Sequence, residues 1–158
     1  MTSTSFDIVL SKSLSPRDVA AALKDLVPNG CSVQIGHDVS DLPTEPGAIW
    51  AIVGASDDAA WPCVVNVLVC RDECRLTPFP DLRIAVHLRE LFGTDALCET
   101  HPFVGELDPL DPYWSLAYIG GSWHLASTAG TPLMGPYSDG PGQASVRLLR
   151  PIEVPTFA

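Results

Sequence analysis

The chain predicts a single α+β domain spanning residues 1–158: a mixed, mainly antiparallel sheet with two helices packed against it. Its length suits one domain and allows roughly 70% of the unfolded surface to be buried without a staple. A hydrophobic share of 46% with a charged share of 18% is that of a globular protein, not of a disordered one. The order of elements, β-α-β-β-β-α-β-β-β-β, favours the α+β class. The prolines fall largely between apolar runs and predict rigid loops.

Phe6–Leu10 reads as the first strand. Ser15-Pro16-Arg17-Asp18 opens a helix, with Ser15 as cap, Pro16 in the first turn and Asp18 at the positive end of the dipole. Val19, Leu23 and Leu26 form its apolar stripe, and Pro28-Asn29-Gly30 ends it. Cys31–Ile35 alternates as a half-buried strand does. His37–Gly47 is an acidic loop with Asp38, Asp41 and Glu45. Ala48–Val53 is a strand, and Gly54–Ala60 is a turn carrying Asp57 and Asp58. Cys63–Cys70 is almost continuously apolar and β-branched, which predicts a central strand.

The second helix runs over Pro80–Phe92. Ile84, Ala85, Leu88, Leu91 and Phe92 form its stripe, and Gly93 fits its C-terminal position. Asp95–Glu99 is a short strand and His101–Pro112 a long loop with Glu106, Asp108 and Asp111. Tyr113–Ile119 and Ser122–Ala126 flank Gly120-Gly121, a strong signal for a tight hairpin, which needs positive φ at both central positions. Ser127–Gly142 reads as loop and Ala144–Leu149 as the last strand. No internal repeat or linker interrupts this order.

All of the net charge of −10 lies in the middle of the chain. Between Asp38 and Asp111 there are 14 acids against 4 arginines, and outside that window 5 acids balance 5 bases. Such a distribution attracts basic partners and repels a phosphate backbone, so it disfavours nucleic-acid binding, and none is expected. No apolar run is long enough to span a bilayer. The N-terminus has no basic stretch leading into an apolar one, and five cysteines without such a leader read as reduced thiols in the cytoplasm. Cys31, Cys63, Cys70 and Cys98 fall in strand-like runs, where a free cysteine behaves as a small core residue.

Three arrangements could carry chemistry. Cys70-x3-Cys74 and Cys98-x2-His101 have ligand types that zinc accepts, without the usual spacing. Ser122 and His124 are close, but in a hairpin and not at a strand-to-helix elbow. His87 shares a helix face with Arg83 and Glu90, which reads as a solvated charged face. Neither Asp57-Asp58 nor Asp108/Asp111 follows a calcium-loop pattern, and no phosphate-binding glycine motif is present. The residues therefore predict no catalytic set, no metal and no cofactor. Trp50, Trp61, Trp114 and Trp123 read first as core, with Trp114 and Trp123 as possible cross-strand neighbours. Trp114 is also placed to anchor a partner beside the acidic loop.

Pro62–Val69, Pro80–Leu88, Ala96-Leu97-Cys98, Asp111–Leu116 and Gly120–Trp123 together resemble the small cytosolic immunity proteins of bacterial polymorphic and contact-dependent toxin systems. The likeness is a pattern of strand, D-x-x-I-A helix, strand and aromatic hairpin over about half the chain. What it implies is a non-catalytic protein that binds a cognate toxin domain and blocks it. The partner expected on charge is basic, such as a nuclease. Its expected contacts are Asp38, Asp41, Glu45, Asp57, Asp58, Glu106, Asp108, Asp111 and Trp114. Two other readings remain open: a small metal-dependent protein using Cys70, Cys74, Cys98 and His101 or His124, and an adaptor or chaperone for a secreted effector.

Overall fold

The computed structural model describes residues 4–36, 48–70, 76, 78–105, 113–133 and 144–155. Eight strands form one sheet: β1 (Thr4–Leu10), β2 (Ser32–Gly36), β3 (Ala48–Ala55), β4 (Cys63–Val69), β5 (Ala96–Glu99), β6 (Trp114–Ile119), β7 (Ser122–Ser127) and β8 (Arg147–Pro151). Their order is β2-β3-β4-β1-β5-β6-β7-β8. Only β2 and β3 run parallel; every other neighbouring pair is antiparallel. The α+β reading holds, and β4 is the interior strand that its β-branched run predicts.

Both helices, α1 (Pro16–Leu26) and α2 (Pro80–Phe92), lie on one face of the sheet. Alternation along the strands fixes that face. Phe6, Ile8 and Leu10 of β1 and Cys63, Val65, Val67 and Val69 of β4 are buried against Val19, Leu23, Leu82 and Leu88. The intervening residues of β4, Val64, Asn66 and Leu68, are only half-buried, so the opposite face is incompletely covered. A smaller core of Trp61, Leu97, Ala117 and Ala126 shields part of it, with Leu133 and Val146 packed against that core.

Local chemistry explains the element ends. The Ser15 hydroxyl accepts a hydrogen bond from the Asp18 amide, satisfying one of the donors that a helix start leaves orphaned. Gly93 closes α2 in the left-handed region at φ 67°. Gly120 and Gly121 both have positive φ, as the β6–β7 turn requires. Phe79, preceding Pro80, is the one described non-glycine residue with positive φ (55°), and its side chain makes no capping hydrogen bond. Its ring packs edge-on against His101 and Phe103 instead, each at 5.2 Å.

Four expectations need correction. The last strand runs Arg147–Pro151, not 144–149, because β7 sets its register (Ser127↔Arg147, Ala126↔Leu148) while the Ala144 amide donates to the Gly130 carbonyl. Trp123 stands opposite Tyr118, ring centroids 4.6 Å apart, while Trp114 stands opposite Ser127. His87 is turned toward α1, with its Nε2 3.0 Å from Asp25 Oδ2. Cys31 is disulfide-bonded, and the free thiols among the described residues are Cys63, Cys70 and Cys98.

A polar corner ties α2 to the sheet. The Ser11 amide donates to the Asp95 carbonyl, and the Asp95 amide donates to Ser11 Oγ. The Lys12 amide donates to the fully buried Thr94 hydroxyl. The Asp95 carboxylate accepts from the Arg89 guanidinium and the Gly120 amide. Thr94→Val leaves donors without an acceptor in this corner and is expected to lower unfolding stability by about 1–2 kcal/mol, read from the urea midpoint.

Candidate binding groove

β1 pairs with β4 along its whole length, from Thr4↔Val69 to Leu10↔Cys63. Its ladder with β5 is confined to Val9↔Leu97 and Leu10↔Ala96. Continued in the same register, the next pair on the face of Val9 and Leu97 would be Asp7 opposite Glu99. Like charges directly opposite one another destabilise an antiparallel ladder. The ladder stops short of that pair, and a groove of about 520 Å³ occupies the place.

Asp7 and Val9 of β1 line one side of the groove, and Leu97, Cys98, Glu99 and Thr100 line the other. Trp114, Ser115, Thr128 and Leu133 complete the lining. Asp7 and Glu99 are exposed, and Trp114 is half-buried. Asn66, paired with Asp7 in the ladder, donates its side-chain amide to Asp7 Oδ1 at 2.6 Å. The Thr128 amide and hydroxyl both donate to the Tyr113 carbonyl, which fixes the start of β6 and with it Trp114. Apolar lining, hydroxyls, one aromatic ring and two carboxylates suit a ligand that is cationic at one point and apolar beside it.

The residues singled out on sequence grounds fall into three groups. Trp114 lies in the groove. Asp57 is exposed, whereas Asp58 is only 6% exposed and serves its own turn. Asp58 Oδ1 accepts from the Ala60 amide, and its carbonyl accepts from the Trp61 amide, which seats Trp61 over the smaller core. Asp38, Asp41, Glu45, Glu106, Asp108 and Asp111 lie outside the described residues. Asp7 and Glu99 were missed. Each is an acid among alternating apolar residues, a local signal, but nothing local shows that the two strands are neighbours.

A second constellation sits on the helix side of β5. Asp81, in the first turn of α2, is 3% exposed, and His101 Nε2 lies 2.8 and 3.1 Å from its two carboxylate oxygens. The His101 ring stacks on Phe103 at 5.7 Å. The Cys98 thiol donates to the Asp81 backbone carbonyl at 3.8 Å. These are the residue types of a cysteine–histidine–acid set, but burial pushes the Cys98 thiol well up, and the charges of Asp81 and Glu99 push it further. A nucleophilic cysteine needs its thiolate, and this site favours the thiol. The donor atoms of Cys98 and His101 point at Asp81, and no group of three or more His, Cys, Asp or Glu among the described residues is arranged to hold a metal.

Ser122 is exposed at the hairpin turn, and His124 stands opposite Ala117 with a buried Nδ1 that has no hydrogen-bond partner among the described residues. No helix among the described residues is long and apolar enough to cross a membrane. Comparison with known protein families, with characterised proteins and with solved structures gives no match.

Two measurements test the reading of Cys98. In native protein at mildly alkaline pH, iodoacetamide is expected to modify the half-buried Cys70 and spare Cys98, with both reacting after unfolding. The folded chain also holds the Cys98 proton more tightly than the unfolded chain does. Stability is therefore unaffected below the ordinary thiol range, and falls as pH rises past about 8.5. Cys98→Ala is expected to flatten that alkaline fall; an unchanged slope contradicts the assignment.

Proposed function

We propose that this protein is a non-catalytic inhibitor of the immunity type, which binds a cognate toxin domain and occludes its active site or substrate cleft. The observation that carries the reading is the groove: an acid-flanked, partly apolar opening with Trp114 in its lining, on a chain whose net negative charge arises within residues 38–111. Such a surface is complementary to a basic cleft of the kind that binds nucleic acid. Its field raises the rate of encounter with a basic protein by roughly 10–10³-fold, which favours an inhibitor racing a toxin. The burial of the Cys98 thiol removes the most obvious nucleophile from the alternative, enzymatic reading.

The compartment we propose is the cytoplasm. The disulfide at Cys31 points the other way, since such bonds persist chiefly in oxidising compartments. A thiol count on protein from its native cells decides: five thiols fit the cytoplasm, and a retained disulfide fits an export compartment.

The functional test begins with a pull-down from native lysate at low salt and identification of any stoichiometric basic partner. Co-expression with that partner then measures protection of growth. Protection is expected, with association slowing steeply as salt rises while dissociation changes little. Trp114→Ala is expected to weaken the complex by about 2 kcal/mol, roughly thirtyfold in Kd. A partner that binds tightly and stays toxic identifies an adaptor instead and sinks the inhibitor reading.

A further inference from the structure

The split between β1 and β5 has its own recognition chemistry. We propose that it is a docking slot for an arginine side chain carried on an extended segment of the protein partner. Asp7 and Glu99 receive the guanidinium, and Ser115, opposite Glu99 in the β5–β6 ladder, lines the slot beside them. The partner's identity as a toxin rests on the inhibitor reading; the chemistry of the slot does not.

The register supplies the first part of the case. Asp7 and Glu99 occupy positions that an extended β1–β5 ladder would set face to face, on the sheet face away from the helices. A cation between them removes the repulsion that the bare pair creates. Asn66 donates to one oxygen of Asp7, which fixes the orientation of its carboxylate.

Shape and composition supply the second. The opening of about 520 Å³ holds more than one side chain, so the neighbours of the arginine enter as well. Val9, Leu97 and Leu133 offer those neighbours an apolar surface. Arginine fits better than lysine. Its planar fork of five donors can bridge two carboxylates set on different strands, whereas an ammonium is a compact and strongly hydrated point charge. A metal ion fits less well, because the described residues bring no third His, Cys, Asp or Glu to the pair.

The test uses isotopically labelled full-length protein and three peptides: acetyl-Val-Arg-Val-amide, its lysine counterpart, and its citrulline counterpart, which keeps the shape and removes the charge. The arginine peptide is expected to shift the backbone amides of Asp7, Val9 and Leu97–Thr100 and the indole N–H of Trp114. The lysine peptide binds about threefold more weakly, and the citrulline peptide not measurably. Asp7→Asn and Glu99→Gln, both conservative changes at exposed positions, each weaken the arginine peptide about threefold or more. Equal binding of the citrulline peptide, shifts confined to other surfaces, or indifference to both substitutions overturns the slot. The two readings also fail separately. If the arginine peptide binds but no toxin is neutralised, the slot stands and the inhibitor reading falls. If the Asp7→Asn/Glu99→Gln double variant protects cells as well as the parent, the inhibitor reading stands and the slot is not its contact.

Discussion

Two residue pairs, Val9↔Leu97 and Leu10↔Ala96, form the whole ladder that joins the two halves of the sheet. On one side of the junction lie β2, β3, β4 and β1, with a seven-pair ladder between β4 and β1. On the other lie β5 to β8. A junction this short needs reinforcement, and it has it at one end only. Ser11, Thr94 and Asp95 exchange backbone and hydroxyl hydrogen bonds there, and Arg89 and Gly120 bring α2 and the β6–β7 turn to the same carboxylate. The other end of the junction is left to diverge, and the groove lies there. Closure at the corner and opening at the groove are two consequences of one register.

The same asymmetry governs the two faces. The helix face is closed by a large apolar core, and its buried carboxylate is matched. Asp81, nearly inaccessible, meets His101 in the first turn of α2, where the helix dipole also favours a negative charge. Phe79 holds a left-handed backbone, a conformation costing of order 1 kcal/mol or more, which persists because its ring is clamped between His101 and Phe103. On the opposite face the carboxylates of Asp7 and Glu99 stay in water. Single exposed ion pairs there contribute little to stability, so these residues can serve recognition without weakening the fold.

The elements were legible because their signals are local. Ser15-Pro16 and Gly93 mark helix ends through capping chemistry, Gly120-Gly121 marks a hairpin through backbone sterics, and the alternation in Cys63–Val69 marks a strand with one covered face. What failed was long-range. The bounds of β8 depend on β7, the partner of Trp123 on hairpin register, and the environment of His87 on how α1 crosses α2. The groove belongs with these. Trp114 was found because an aromatic beside an acidic loop is a local pattern. Asp7 and Glu99 were not, because β1 and β5 are separated by most of the chain, and only the strand order makes them neighbours.

Composition alone cannot separate the two constellations that β5 carries on its two faces. Cys98, His101 and Asp81 have the residue types of a nucleophile, a base and an orienting acid; Glu99, Asp7 and Trp114 have those of a surface contact. Burial assigns them. Burial favours the protonated thiol, which donates to a backbone carbonyl, and that disfavours a nucleophile at this position. Glu99, next to it along the same strand, is exposed to water, as is Asp7 on β1. Adjacent residues of one four-residue strand therefore point to opposite uses, Cys98 to the core and Glu99 to the groove. Strand alternation makes one segment both a stabilising element and the wall of an exposed groove, the surface proposed above for a partner.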